Sequence, residues 1–160
     1  MAWTTPKTWV ADDVLTASEL NTHVRDNLEA ATEWTPYTPT WTATGTAPAI
    51  GTGTMTGQYI KAGNLCHCTL LWQADGSTTF GTGSYKWSLP VAATQAAMGA
   101  CRGYDSSPAT VLMGFAAINA GSGTVEVYSA TASAPALWAQ TAPITWASGD
   151  YLHLSVTYAC

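Results

Sequence analysis

Residues 58–72 read Gln58-Tyr59-Ile60-Lys61-Ala62-Gly63-Asn64-Leu65-Cys66-His67-Cys68-Thr69-Leu70-Leu71-Trp72. The runs on either side of residues 62–64 are rich in residues that favour strands, and they have period-two character. Ala62, Gly63 and Asn64 carry a turn signal between the two runs. The stretch therefore predicts a β-hairpin, in which Cys66 and Cys68 share one face of a strand and His67 points to the other.

The alternation of strand-favouring runs and turn signals continues beyond this hairpin. Strands are predicted at residues 84–89, 111–118, 124–128 and 151–158, and the second and third of these form a hairpin about a Gly-rich turn. Further turn signals include Gly57 and Gly103. About eight strands without a second helix predict a mainly β chain, with an antiparallel β-sandwich or jelly roll at residues 35–160.

Residues 1–34 follow a different pattern, which predicts an arm and one helix. Residues 16–19, TASE, form a capping box. In this motif the hydroxyl of Thr16 accepts a hydrogen bond from the amide of Glu19, whose carboxylate reaches back to Thr16. We expect the helix to begin at about residue 17 and to end near residue 33, before a proline.

The apolar residues of this segment are spaced by three and four positions, as in a coiled-coil seam. We define the seam as Leu15, Leu20, Val24, Leu28 and Ala31, and its first two residues also fit a hydrophobic staple. A helix of about 17 residues is marginal alone in water, so it must bury this stripe. It can pack on its own β domain or on copies of itself, and we expect self-association. Two turns of seam do not fix the number of copies.

Charge is sparse and uneven. Residues 1–34 hold six of the ten acidic residues and two of the five basic ones. No cluster of Lys and Arg is present, so we expect no binding to nucleic acid or to an anionic membrane surface. No apolar run approaches the ~20 residues of a membrane span. Residues 1–7 lack the basic and apolar regions of a signal peptide, so we expect synthesis in a cytoplasm without export.

Residues 8–28, TWVADDVLTASELNTHVRDNL, resemble an N-terminal segment shared by tail proteins of actinobacterial phages and prophages. Residues 37–42 (YTPTWT), 51–59 (GTGTMTGQY), 78–83 (TTFGTG) and 146–150 (WASGD) are similar to later elements of the same proteins. The resemblance implies a tail-fibre, tip or minor tail protein located in the virion. It also implies a homotrimer, with contacts to other virion proteins through the N-terminal segment.

Groups for catalysis are scarce beyond residue 34. Asp75, Asp105 and Asp150 stand in turn contexts, where aspartate commonly bonds the local backbone. Glu126 is alone within a predicted strand, so no pair of opposed carboxylates is evident for glycoside hydrolysis. Nucleophile-elbow, phosphate-loop and dinucleotide motifs are absent. We therefore expect a non-enzymatic protein without a cofactor.

The spacing of the cysteines and histidines gives only weak support for a metal site. A single residue separates Cys66 from Cys68, whereas zinc knuckles have two residues between their cysteines. A metal would also need Cys101, Cys160 or His153 beside them. We expect reduced, buried thiols and no metal, with a disulfide between some pair and a structural metal as the alternatives.

Aromatic residues are the better functional lead, because sugar rings stack on aromatic faces while neutral polar groups bond sugar hydroxyls. Trp138 lies in a loop-like stretch at residues 133–140 and is the first candidate for an exposed ligand-binding ring. Tyr104 and Asp105, in a predicted turn after Gly103, are the second, and Trp72 is a further candidate. Alternatively, these rings fill the core or an inter-subunit seam.

Three functions follow from these observations. The first is a virion fibre or tip protein that attaches to host-surface glycan. The second is a purely structural decoration or adaptor protein without a ligand. The third is an enzyme that degrades glycan, for which the carboxylate pattern gives the least support.

Overall fold

The computed structural model describes residues 3–130 and 136–160. Within them, one N-terminal helix precedes a nine-stranded antiparallel sheet. The helix comprises α1 (Ala17–Leu20), a π-helical segment (Asn21–Arg25) and α2 (Asp26–Thr32). The strands are β1 (Thr35–Tyr37), β2 (Trp41–Ala43), β3 (Thr54–Ala62), β4 (Leu65–Gln73), β5 (Tyr85–Ser88), β6 (Ala97–Asp105), β7 (Thr110–Ile118), β8 (Thr124–Ser129) and β9 (Tyr151–Ala159). The predicted mainly β fold with one N-terminal helix is confirmed.

The two predicted hairpins are present with the expected pairing. Strands β3 and β4 pair from Thr54 opposite Gln73 to Ala62 opposite Leu65, which leaves Gly63 in the turn with a positive φ of 59°. Strands β7 and β8 also pair as neighbours. The C-terminal strand β9 lies between β4 and β6, so it joins the two hairpins into one sheet.

The predicted β-sandwich or jelly roll is not confirmed, because the strands form a single curled sheet, a half-barrel. Its order is β1-β3-β4-β9-β6-β7-β8-β5-β2, without a break in the hydrogen-bonded ladder. The curl brings the ring of Trp41 on edge strand β2 to 4.9 Å from the ring of Trp72 on β4. The sheet therefore encloses its own apolar face, which a sandwich would instead cover with a second sheet.

Period-two alternation decides which side chains enter the core. On β4 the buried positions alternate with partly exposed ones, and on β9 they alternate in the same way. The enclosed face carries a cluster of large aromatic rings. These rings are Trp41, Trp72, Tyr85, Trp87, Trp138 and Trp146. We call the opposite side of the sheet the outer face.

The sequence pattern does not predict strand β6, because Gly103 carries a turn signal. Gly103 instead lies inside β6, opposite Leu112 of β7 and Leu152 of β9. A Cβ atom at Gly103 would come within 2.7 Å of Cη2 of Trp138, so the absent side chain leaves room for the indole. Gly57 was misread in the same way: it lies within β3, and the ring of Tyr37 covers it.

Candidate functional site

The N-terminal helix begins at the predicted capping box. The amide of Glu19 donates to Oγ1 of Thr16 at 3.2 Å, and the amide of Thr16 donates to Oε2 of Glu19 at 3.3 Å. Lys7 of the arm also donates to Oε1 of Glu19 at 2.6 Å. These bonds from Lys7 and Thr16 lower the pKa of Glu19 to about 2. The helix therefore starts where the sequence predicts, and the arm is attached to its first turn.

One face of the helix packs on its own chain. Asn27 is buried: its Oδ1 accepts from the amide of Thr4 at 2.8 Å, and its Nδ2 donates to the carbonyl oxygen of Thr4 at 2.8 Å. Ala30 is buried as well, and α2 lies against β3. Nδ1 of His23 lies 3.2 Å from the carbonyl oxygen of Thr5. The arm and the edge of the sheet thus cover the face that carries Asn27 and Ala30.

The predicted seam lies on the uncovered part of the helix. Leu20, Val24 and Leu28 are 43%, 54% and 65% exposed, and Leu15 before the cap is also exposed. Ala31 is half-buried and lines a shallow apolar depression with Trp3, Val24 and Leu28. Apolar residues at this spacing form a stripe on one side of a regular α-helix, and the π-helical segment Asn21–Arg25 lies within it here. About half of each large seam side chain is therefore available to a partner, while Ala31 lies against the chain itself.

The predicted exposure of Trp138 is wrong. Its side chain is 0% exposed, and the ring occupies the space left by the missing side chains of Gly103 and Gly114. Its backbone is fixed by two hydrogen bonds: its amide donates to the carbonyl oxygen of Val127, and its carbonyl oxygen accepts from the amide of Tyr85. Residues 133–135 of the predicted loop lie outside the described residues. Trp138 is a core residue and offers no face to a ligand.

Trp72 is also a core residue, at 1% exposed. Its ring packs edge-to-face on Trp41 at 4.9 Å and on Trp146 at 5.4 Å between centroids. Trp72 therefore fills the core, as the alternative interpretation of the aromatic residues predicts. It is not a ligand-binding residue. The enclosed face of the half-barrel is occupied by such rings, so a ligand surface has to be sought on the outer face.

Tyr104 lies on the outer face, at the end of β6 and not in a turn. Its ring stacks on that of Tyr151 of β9, with 5.1 Å between centroids and 21° between planes. His153 follows on the same face, 5.6 Å from Tyr151, and the guanidinium of Arg102 lies 5.5 Å over the Tyr151 ring. Asp105 accepts from the amide of Ser107 at 3.1 Å and so acts in the local turn. Tyr104 therefore belongs to an outer-face cluster, whereas Asp105 is structural.

A groove of about 700 Å³ runs across the outer face beside this cluster. Two cross-strand rows of side chains form the groove. Both rows run from β3 through β4 and β9 to β6, and the first row continues to β7. The first row consists of Thr56, Leu71, His153, Arg102 and Met113, and the second of Gln58, Thr69, Ser155 and Ala100. Since neighbouring strands are about 4.8 Å apart, the first row spans roughly 19 Å. The lining is mostly apolar, and it also carries the hydroxyl and amide groups of Thr, Ser and Gln side chains together with Arg102 and His153.

No carboxylate lines this groove among the described residues. Asp75 accepts from the amide of Ser77 at 3.0 Å, and its pKa is lowered to about 2 by hydrogen bonds, chiefly from Thr52. Asp150 is buried and accepts from the amides of Ser106 and Ala147, both at 2.8 Å. The predicted backbone-binding role of the turn aspartates is confirmed. Glu126 pairs with Lys86 at 2.8 Å.

The cysteines are free thiols. Cys66, Cys68 and Cys101 are buried on the enclosed face, and burial raises the pKa of each, that of Cys68 to about 12. Cys160 is half-buried, and its sulfur accepts a hydrogen bond from Nζ of Lys61 at 3.1 Å. Within the described part of the chain, no group of three or more His, Cys, Asp or Glu side chains is placed to hold a metal ion.

This arrangement predicts strongly unequal thiol reactivity. In the native protein iodoacetamide is expected to label Cys160 within minutes, while Cys66, Cys68 and Cys101 react only after unfolding, because alkylation needs an accessible thiolate. Mass spectrometry after timed labelling, with and without guanidinium, measures this. Fast native labelling of Cys68 would contradict the assigned burial.

Among the described residues, no helix has both the length and the apolar character needed to cross a membrane. The sequence pattern does not predict most of the groove, namely Arg102, His153 and the polar residues of β3 and β4. Period-two alternation already puts Tyr151, His153 and Ser155 on one face of β9. The strand order, which brings β6 beside β9, was the missing information.

Comparison with known proteins returned no matching family model, no similar curated protein and no similar solved structure.

Proposed function

We propose that this chain is a non-enzymatic structural protein of a bacteriophage virion, a tail-fibre, tip or minor tail component. It assembles as a homotrimer through its N-terminal helix and contributes to attachment to host-surface glycan. The N-terminal segment also contacts other virion proteins. The sequence resemblance of residues 8–28 to phage tail proteins supports the virion location.

The observation that carries the self-assembly is the exposed seam. Leu20, Val24 and Leu28 are exposed, while Asn27 and Ala30 of the same helix are buried against the chain's own arm and sheet. Complete burial of a large apolar side chain is worth about 1.5–3 kcal/mol. Because these three are about half exposed, a helix bundle would gain roughly half of that for each. A bundle around a symmetry axis buries the same stripe from every copy, so one seam per chain is sufficient.

The outer-face groove supports the attachment role. Gln58, Thr69 and Ser155 supply neutral donors and acceptors in one cross-strand row, and Tyr151 stands at the border of the other. Sugars are recognised by such a combination, because hydroxyls bond to neutral polar groups while ring faces stack on aromatic side chains. A groove on the sheet also keeps these groups in fixed positions.

Filling the groove tests the attachment role. Ala100→Trp places an indole on the groove floor at an exposed outer-face position without removing a hydrogen bond of a side chain. We expect the intact protein to bind members of a glycan array and this variant to lose at least tenfold in affinity. Ala96→Trp, an exposed alanine ahead of β6 that does not line the groove, is the matched control. Equal binding by both variants, or no glycan bound by the intact protein, would reject the groove as an attachment site.

A purely structural adaptor is the second candidate, and one observation favours it. Met98, Val111 and Met113 on the outer face are 69%, 48% and 53% exposed, and such a surface can also pack on a neighbouring virion protein. A glycan-degrading enzyme has less support. No opposed carboxylates line the groove among the described residues, and glycoside hydrolysis ordinarily needs two.

A further inference from the structure

Arg102 is a cation without an anionic partner in residues 3–130 and 136–160. Within the described residues, the ion pairs of the chain involve Lys7, Arg25 and Lys86, and none involves Arg102. Its side-chain contact is the ring of Tyr151, 5.5 Å away. Contact with a ring face does not use the N–H donors of a guanidinium. Those donors remain available to a ligand.

The position of Arg102 directs its free N–H donors to a ligand in the groove. The residue is exposed, lines the groove, and stands in register with His153 on one side and Met113 on the other. No carboxylate lines the same groove among the described residues. The acidic residues are concentrated in residues 1–34, which carry four of the five net negative charges. An anion entering the groove therefore meets a guanidinium without a competing protein carboxylate.

We propose that the groove binds an acidic glycan, with its anionic group on the guanidinium of Arg102 and its neighbouring sugar units along the two cross-strand rows of the groove. This inference rests on the proposed attachment function and names its ligand class. Guanidinium binds carboxylate and phosphate groups through paired N–H donors, which a neutral sugar cannot match. The hydroxyl and amide groups of Thr69, Ser155 and Gln58 then bond the uncharged hydroxyls of the chain.

The test compares two anionic polymers, one a sugar polymer and one a polyol polymer, with a neutral sugar polymer on the intact protein. The probes are oligogalacturonate, which carries carboxylates, poly(glycerol phosphate), which carries phosphodiesters, and neutral galactan. The variants are Arg102→Gln, which removes the charge, and Arg102→Lys, which keeps it. Lys86→Gln is the control, because it removes one positive charge from β5, outside the groove.

We expect one or both anionic probes to bind at least tenfold more tightly than galactan. Arg102→Gln should weaken that binding roughly tenfold to a hundredfold, which is the range for a hydrogen bond to a charged group. Arg102→Lys should restore part of it, and Lys86→Gln should change it less than twofold. Raising the salt concentration should weaken binding by the intact protein and leave Arg102→Gln nearly unaffected.

Each outcome has a defined meaning. Preference for oligogalacturonate assigns the anion as a carboxylate, and preference for poly(glycerol phosphate) assigns it as a phosphodiester. If galactan binds as tightly as the anionic probes and Ala100→Trp still blocks it, the groove is a glycan site and the acidic ligand class is wrong. If none of the probes binds, and the glycan array is also negative, both this inference and the proposed attachment function fail.

Discussion

The double variant Leu20→Asp, Val24→Asp is expected to be a monomer in solution, whereas the unchanged chain is expected to be a homotrimer. Both residues are exposed on the seam of the helix, so the substitutions remove no contact with the β domain. In the assembled bundle they would bring carboxylates of every copy into an apolar interface. Burying unpaired charge costs far more than the seam contacts contribute. Light scattering coupled to size-exclusion chromatography measures the change.

The matched control for this variant is Ser18→Asp, Asn21→Asp. It adds the same two negative charges at exposed polar positions of the helix, outside the seam. The control is expected to remain a trimer. Far-UV circular dichroism should show the same β signal for both variants, since β1 to β9 are untouched. An unchanged oligomer in the seam variant would remove the helix from the self-association model.

Replacing Trp72 with alanine is expected to destabilise the β domain more than any surface substitution. The indole is 1% exposed and packs on Trp41, Phe80 and Trp146, so its loss leaves a cavity between the edge strand β2 and the centre of the sheet. Large-to-alanine changes of this kind cost about 3–5 kcal/mol. That is a large fraction of the roughly 5–15 kcal/mol that stabilise a domain. The midpoint of thermal unfolding should fall by roughly 6–20 °C.

Trp34→Ala supplies the same substitution at a surface position. Trp34 is 42% exposed, and its ring touches His67 at 5.5 Å. Its removal should cost about 1 kcal/mol or less, because little cavity is created. Thermal unfolding of both variants, followed by circular dichroism, gives the comparison. Similar midpoints for Trp72→Ala and Trp34→Ala would mean that the aromatic cluster does not hold the half-barrel closed.

The exposure of the seam residues follows from local sequence spacing, whereas the environment of the aromatic candidates does not; self-association through the seam stays a prediction. The seam residues Leu20, Val24 and Leu28 follow a local spacing, and the structure leaves them exposed. Trp138 was misjudged, because its burial depends on Gly103 and Gly114, which lie 35 and 24 positions earlier in the chain. A composition rule that treats glycines as turn signals cannot detect a glycine that makes room for a distant ring. Tyr104 is half-buried on the outer face of strand β6 and does not lie in the predicted turn.

By itself, the sequence determined the elements that short-range interactions define. The capping box at Thr16 and Glu19 joins groups three residues apart, and the alternation in β4 and β9 sorts side chains by face without reference to the rest of the chain. The tertiary structure alone decided the sheet order, the half-barrel closure, and the grouping of Arg102, His153 and Tyr151 on one outer surface. These features depend on which strands pair across long sequence separations. Strand alternation is the same for any choice of neighbour, so the pattern cannot encode that choice.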